Sequence, residues 1–553
     1  MDILTKLRET DVENRAGVVN SGTARAALDE FIRSGVKFVS SHPKIEEVYY
    51  RAVHDLMNCV VPSASGGAML IEGAEFIGAW LESTASISAE LLSRFCPRAA
   101  RETFELFADF QREDGLIPYK LLPGGANFRQ VQMVTPLARS VWTHYRLHGD
   151  KPFLEKMYRA MARNDQWLEK YRNTRGTGCV EAFCTFDTGA DASPRFWQVP
   201  DTTCQGDPAR YDPDSPILPF LAPDMTANVY CQRKYLALMA RELGLPDTPW
   251  ETKARQSLES LMGCCYDEGD HFFYDRDRLG RFVRVQGDTL IRVLACEAGD
   301  DARFEDALRR YLLNTKKFFC RYPITTIAMD EPAFSQSFTC NSWAGQVSFL
   351  TQLRLSHAFE YHRRYVELTW IQHPILTALA RFKKFPGSLD PWLGREGYGD
   401  NYTPAMLCLL DYLERLSGIF PAAGGELWFT ALIPQGMDGE TLAEKTGYRR
   451  ILGGTVFELI NLGEVSEVYK NGELLCRFPA GIRLVTDREG SLQGLIGMTV
   501  RRVTGEVIYH GRAVPFAASG NERLEYTGAG FVSIARPGVV PPNYGDRDAL
   551  TIN

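Results

Sequence analysis

The sequence predicts a mainly α fold, a closed (α/α)6 toroid of paired helices, followed by a small antiparallel β-sandwich. From about residue 24 to 416, apolar residues recur at helical spacing in segments separated by Gly, Pro and Asp. After about Pro421 the apolar period shortens to that of a strand. No fixed sequence period runs through the helical part, which argues for a closed ring over an open solenoid.

In chain order, Pro97 to Gln111 is the clearest helix: Ala100, Phe104 and Phe107 share a face, and Pro97 suits the first turn. Val134 to His148 follows, with Leu137, Val141 and Tyr145 on one face. Similar stretches lie near 44–58, 73–90, 152–172, 225–243, 248–265, 284–297, 302–317, 343–363, 366–381 and 403–416. About a dozen helices can pair into six hairpins, the inner ones buried all round and the outer ones amphipathic. Strands are expected at Leu427–Thr430, Thr455–Ile460, Val465–Tyr469, Leu474–Phe478 and Met498–Val503, with Asn471-Gly472 as a two-residue hairpin turn. These readings divide the chain into residues 1–420, a helical barrel with an N-terminal helical extension, and 421–553, a β-sandwich with a tail. The tail after Pro537 has no strand pattern and is expected to lie over the surface.

The 553 residues are 45% hydrophobic and 24% charged, an ordinary globular balance. A net charge of −7 and no run of Lys or Arg longer than two argue against nucleic acid and anionic membranes as partners. No stretch is apolar enough to span a membrane, and Met1 to Lys6 lacks the pattern of a secretory leader. The 13 cysteines are scattered, as expected of buried thiols in a reducing, cytoplasmic compartment. Oligomeric state cannot be read from the sequence.

The loops joining the helices carry the unusual residues. Asp187-Thr188-Gly189-Ala190-Asp191-Ala192-Ser193-Pro194-Arg195-Phe196-Trp197 gathers two carboxylates, an Arg and a Trp. Such a segment is either a polar turn with Asp as cap or one wall of a sugar site. Glu72 to Glu75 leading into Trp80-Leu81-Glu82-Ser83, Gln111 to Pro118, Asp224 to Ala227 and Asn341 to Gln346 share its flavour. Asp224 is equally a plain N-cap, and the tryptophans are equally core.

Taken together and in order, these segments resemble the (α/α)6 glycosidases related to glycoside hydrolase family 63, trehalases and mannosylglycerate hydrolase. Asp187 to Arg195 matches their E-S-G-x-D-x-S-P-R at five of seven defined positions, with Asp187 for Glu and Thr188 for Ser. Gln111 to Pro118 resembles their Q-x-x-D-G-x-I-P, and Asp224 to Ala227 their D-L-N-A. Tyr322 to Phe334 resembles Y-P-x-P…D-P-A-F with one extra residue, and Trp343 to Val347 more loosely resembles W-R-G-P-V-W. The likeness covers roughly residues 70 to 415.

The resemblance implies an inverting, exo-acting hydrolase of a small oligosaccharide or glycoside, with Asp191 as general acid. The matching base is a Glu in a segment like E-N-Y-N-P. Asp400-Asn401-Tyr402-Thr403-Pro404 is the best match and puts Asp400 there, one methylene shorter. Glu396, in a loop with three glycines, is the second candidate, and Asp400 is otherwise the cap of the last barrel helix. Trp80, Glu82, Gln132, Asp187, Arg195, Trp197, Trp343 and Gln346 are the candidate sugar contacts, with a small carbohydrate as the partner.

His144 with His148, and His357 with His362, do not make a metal site without a third ligand. No phosphate-binding or dinucleotide-binding glycine motif is present. The sequence calls for no cofactor and no metal. Competing readings are a phosphorylase or a histidine-dependent epimerase on the same barrel, and a glycan-binding homologue that has lost catalysis.

Overall fold

The computed structural model describes residues 2–73, 75–133 and 136–545. Six helices carry the core of the first part: α1 (Ala89–Leu92, preceded by a π-helical turn at Thr84–Ser88), α2 (Leu137–His148), α3 (Pro223–Leu243), α4 (Thr289–Leu294), α5 (Phe349–Tyr361) and α6 (Thr403–Ser417). Each packs on the next in chain order, and α6 packs on α1 and the π-helical turn. Between them lie longer, amphipathic helices, including Pro43–Asn58, Pro97–Asp109, Lys151–Tyr171, Thr248–Cys265 and Tyr365–Arg381. The contrast in burial explains the two kinds of sequence. Every residue of α6 is buried, whereas Pro97–Asp109 buries only the face made by Ala99, Ala100, Thr103, Phe104, Leu106 and Phe107.

The second part holds two antiparallel sheets. The strands are β1 (Lys37–Ser40), β2 (Ile419–Pro421), β3 (Glu426–Thr430), β4 (Thr446–Leu452), β5 (Thr455–Asn461), β6 (Val465–Lys470), β7 (Glu473–Pro479), β8 (Ile482–Asp487), β9 (Leu492–Gly497), β10 (Val503–Tyr509), β11 (Arg512–Ala518), β12 (Arg523–Tyr526) and β13 (Phe531–Ala535). The orders are β1-β4-β5-β6-β7-β10-β11 and β2-β3-β8-β9-β12-β13. Phe429 of β3 meets Phe457 of β5 edge-on at 5.8 Å, and Phe516 of β11 meets Phe531 of β13 at 6.1 Å, so the apolar faces of the two sheets pack on each other. The Asn471-Gly472 turn has positive φ at both positions, as a type I′ hairpin requires, and pairs Lys470 with Glu473.

Four expectations need correction. The N-terminal extension is not all helix: β1 pairs with β4 in register Lys37↔Arg449, so these residues join the C-terminal sheet. The span 73–90 opens as loop and strand and turns helical only at Thr84, because Ser83 and Ser86 commit their hydroxyls to Glu72 and to the Leu81 carbonyl. The helix expected at 302–317 becomes π-helical at Leu308–Leu312. The last expected strand begins at Val503 rather than Met498. Val134 and Thr135, expected to open the helix that ends at His148, lie outside the described residues. The tail is anchored as far as it is described. Val540 is buried with its amide on Glu367, and Asn543 pairs with Asn314; residues 546–553 lie outside the described residues.

No helix among the described residues is long and apolar enough to cross a membrane.

Candidate active site

A narrow cavity opens where the N-terminal ends of the inner helices meet. Its walls include Glu72, Phe76, Trp80, Glu82, Gln132, Asp191, Asn341, Trp343, Gln346, Tyr398 and Tyr402. Six of the ten sequence candidates therefore converge: Trp80, Glu82, Gln132, Asp191, Trp343 and Gln346. They come from separate helix junctions, and each is aimed inward by a local device.

Asp191 lies between Gly189, at φ +65°, and Ala192, at φ +54°, so the loop turns sharply on both sides of it. Its Oδ2 accepts a hydrogen bond from the Asn341 amide at 3.0 Å. Burial, then the charge of Glu72, push its pKa up to about 7, with the Asn341 bond acting the other way. Glu72 is fixed from two sides. Its Oε1 accepts from the Tyr402 hydroxyl at 2.5 Å and its Oε2 from the Ser83 hydroxyl at 2.8 Å. Burial raises its pKa, and these two donors oppose the rise. The Glu72 carbonyl also accepts from the Thr403 amide, and a Cβ on Gly73 would lie 2.0 Å from the Asn401 carbonyl. The loop before α6 and the loop at Glu72 thus touch through a glycine.

Glu82 accepts from the Gln132 amide at 2.9 Å, and Gln130 holds the other end of Gln132 at 3.1 Å. Burial and the nearby Glu72 and Asp191 charges push Glu82 well above the usual carboxylate range. Gln132 and Trp343 both sit at positive φ, 42° and 48°, a conformation held here by the surrounding wall. The Arg292 guanidinium lies 4.8 Å over the Trp343 ring. Phe76 packs edge-on against Trp80 at 5.7 Å and lies 5.9 Å from Tyr402, forming an aromatic side to the cavity. Gln346 accepts from Ser342 and the Ala344 amide, closing the loop that carries Asn341 and Trp343.

The other four candidates lie elsewhere. Asp187 is fully buried and accepts from Arg172, the Val131 amide and the Phe183 amide, so it staples the loop rather than facing a ligand. Arg195 is buried between Asp224 and Asp275, with two hydrogen bonds to each at 2.8–3.1 Å. Four of its five N–H donors are so engaged, and the residue does not line the cavity. Trp197 is 67% exposed, its indole NH on the Ala192 carbonyl. Asp400 is exposed, its carboxylate accepting from the adjacent Asn401 amide, and it does not line the cavity. Glu396 accepts from the Lys383 and Lys384 amides through Oε1 and does not line the cavity. The base expected at Asp400 is therefore not brought to the site: a side chain shorter than Glu stays with its own backbone.

Glu72, Asn341, Tyr398 and Tyr402 are the residues that reading the sequence left without a role. Glu72 carried a signal, a Glu-Gly step just ahead of the Trp80 segment; Asn341 and Tyr402 lay inside segments the sequence singled out, and Tyr398 carried none. Two of the set-aside histidines, His144 and His148, bond to Ser93, the residue that ends α1. Among the described residues, no histidine, lysine or arginine lines the cavity. Among the same residues, no group of three His, Cys, Asp or Glu side chains is arranged to hold a metal ion.

The model of the mannosylglycerate hydrolase MGH1-like glycoside hydrolase domain matches residues 78–377. A search of curated proteins gave no match. Among solved structures, the family 63 mannosylglycerate hydrolase of Thermus thermophilus, bound to glucose, is similar with TM-score 0.54 and 15% identity over 66% of this chain and 99% of that one. A sialidase is similar with TM-score 0.61 and 14% identity, covering 88% of this chain and 44% of that one. A family 78 rhamnosidase of Bacillus sp. GL1 is similar with TM-score 0.51 and 12% identity, covering 77% and 40%. At these identities the likeness to solved structures is one of fold, while the family model spans more than half of the chain and carries the activity. The chain belongs to the family of MGH1-like glycoside hydrolase domains and is a glycosidase.

Proposed function

We propose that this glycosidase releases the terminal sugar of a small glycoside or oligosaccharide with inversion, using Asp191 as general acid and Glu72 as general base. The observation that carries the reading is the pair itself. Three carboxyl groups share one cavity, and the two assigned here differ in environment: burial pushes Asp191 up to about 7, while Glu72, also raised by burial, accepts from the Tyr402 and Ser83 hydroxyls, which oppose that rise. In this scheme the Asp191 carboxyl gives its proton to the glycosidic oxygen as the bond from that oxygen to the anomeric carbon breaks. Water adds to the anomeric carbon from the opposite face and gives its proton to Glu72. The free sugar leaves with inverted configuration, Glu72 gives its proton to solvent, and solvent returns a proton to Asp191. Inversion needs about 6.5–9.5 Å between the carboxyl groups to admit that water.

Exo action is supported by the narrowness of the cavity, whose Trp343 wall is backed by the buried Arg292 guanidinium. We further infer that the cycle of neighbours from α1 to α6 closes as an (α/α)6 toroid, with the sheets as a separate C-terminal domain. The 13 cysteines, none in a disulfide, support a reducing, cytoplasmic setting. A cavity walled by carboxylates, without basic side chains or histidines among the described residues, supports hydrolysis over phosphorolysis or epimerisation. The name of the Thermus enzyme makes mannosylglycerate a natural first substrate to assay, beside disaccharides and aryl glycosides.

Three variants measured on one substrate test the assignment. Asp191→Asn and Glu72→Gln are each expected to lower kcat by about 10²–10⁴-fold with the fold retained. An aryl glycoside with a good leaving group should recover much of the Asp191 loss and none of the Glu72 loss. Asp400→Ala should stay within a few-fold of wild type. The acid must be protonated, so wild-type kcat/KM should fall as pH rises through about 7, and that limb should vanish in Asp191→Asn. A dead Asp400→Ala beside an active Glu72→Gln would return the base to position 400.

A further inference from the structure

Beneath the catalytic cavity, the inner helices hold polar groups that the protein leaves unpartnered. Arg354 of α5 is the extreme case. It is 2% exposed, and Nε, Nη1 and Nη2 all lack a hydrogen-bond partner. No carboxylate among the described residues forms an ion pair with it. A buried guanidinium left this way is costly, and buried polar groups are almost always satisfied by protein, water or an ion.

Its position follows from helix geometry. Leu350, one turn earlier on α5, lines the cavity, so Arg354 lies about one turn, ~5.4 Å, below that level on the same face. Arg292 of α4 reaches the same floor, since its guanidinium stacks over Trp343, a cavity residue. Its Nη2 has no partner, although Nε reaches Asp288 at 3.2 Å and Nη1 the Thr188 carbonyl at 2.8 Å. On α3, Asn228 follows one turn after Asp224, which is itself 3.6 Å from Arg292. Both polar atoms of the Asn228 amide are unpartnered at 0% exposure, and so are those of Gln232 one turn further.

The carboxylates in this region are already engaged. Asp224 is held twice by Arg195, Asp288 accepts from Thr351 at 2.7 Å and from Arg292, and Glu82 accepts from Gln132. Burial and the neighbouring Arg292 charge bring Arg354 down to about 10, with the Asp288 and Glu82 carboxylates acting the other way without pairing with it. The unpartnered donors outnumber the unpartnered acceptors, and they include two cations and two primary amides. The excess of donors over acceptors fits a small monovalent anion, which only accepts.

We propose that Arg354, Arg292 and Asn228 form a buried site for a small monovalent anion of the chloride type, under the floor of the catalytic cavity. The anion would be a structural counter-ion and not a substrate, and the site does not depend on which carboxylate is the base.

Bromide and thermal melting test it on the intact protein. Crystals grown with sodium bromide should give an anomalous peak within hydrogen-bonding reach of the Arg354 guanidinium. Melting in sodium chloride, against sodium sulfate at equal ionic strength, should show Tm rising by about 1–3 °C for each tenfold increase in chloride once the site is loading. Arg354→Gln should lose both the bromide peak and the chloride dependence. If that variant does not fold, the two wild-type measurements still decide. Water density at Arg354 in bromide-grown crystals, or a Tm that follows ionic strength alone, overturns the proposal.

Discussion

Gly189 is the residue on which the cavity wall turns. It adopts φ +65°, and a Cβ there would sit 1.3 Å from Oε2 of Glu82. The glycine is therefore required twice, once for its backbone conformation and once so that the Asp191 loop can lie against the Glu82 carboxylate. Any larger residue must push Glu82 off the Gln132 amide or swing the loop, and with it Asp191, out of line. Because placement errors near 1 Å cost catalysis heavily, Gly189→Ala is expected to lower kcat about 10²-fold or more. The backbone strain adds about 1 kcal/mol of destabilisation, so the protein should still fold. Kinetics and thermal melting of Gly189→Ala check this; wild-type turnover would show that the loop has slack the packing does not suggest. Arg195, in the same segment, serves at a distance. By binding both Asp224 and Asp275 it ties the loop to α3 and to the strand at Asp275–Arg276, and so fixes the backbone that carries Asp191.

At the scale of elements, legibility followed burial. Helices such as Pro97–Asp109 and Leu137–His148 could be read because one apolar face repeats, and the Asn471-Gly472 hairpin because its turn chemistry is local. The proposed acid could be read because Asp187 to Arg195 is one continuous segment. Its partner could not. Glu72 meets Asp191 only through tertiary folding, and the segment that resembles the family's base instead supplies Tyr402, which bonds to Glu72. The role of β1 was hidden for a similar reason: four residues, Lys37-Phe38-Val39-Ser40, gain strand structure from a partner more than four hundred positions away. That pairing covers the edge of β4, and Ile3, Leu7, Val39 and Ile460 form an apolar cluster over it. Removing residues 2–41 would expose both the edge and the cluster, and unpaired edges of this kind template aggregation. The truncated protein is expected to melt several degrees lower and to aggregate at concentrations where the full chain does not. Melting and light scattering measured together check this, and unchanged values in both would show that β1 is dispensable.

For the whole molecule, the helical part and the sheets are joined by a buried ionic network rather than by an apolar seam alone. Asp411, Glu414 and Arg415 project from α6. Asp411 binds Arg94 at 2.6 Å and Arg415 at 2.9 Å, and accepts from Ser356 of α5. Glu414 binds Arg94 at 2.8 Å, Arg450 of β4, and the Tyr448 hydroxyl at 3.2 Å. Glu360 of α5 joins Arg415 to Arg483 of β8, which in turn donates to Thr430 of β3. The network therefore reaches both sheets from two adjacent inner helices. Buried pairs of this kind need not add stability over an apolar replacement, because desolvation offsets much of the attraction; what is costly is to break one. Glu414→Gln keeps the shape but leaves Arg94 and Arg450 without their shared charge. It should cost about 3–5 kcal/mol. Pairing it with Arg450→Met should return part of that loss, since one of the two stranded cations is then gone. If the network couples the two parts, helix loss followed by circular dichroism and strand loss followed by the infrared amide I band should move to lower temperature together in Glu414→Gln. Two separated transitions, or a Glu414→Gln protein as stable as wild type, would mean that the sheets and the helices hold together by their apolar contacts alone.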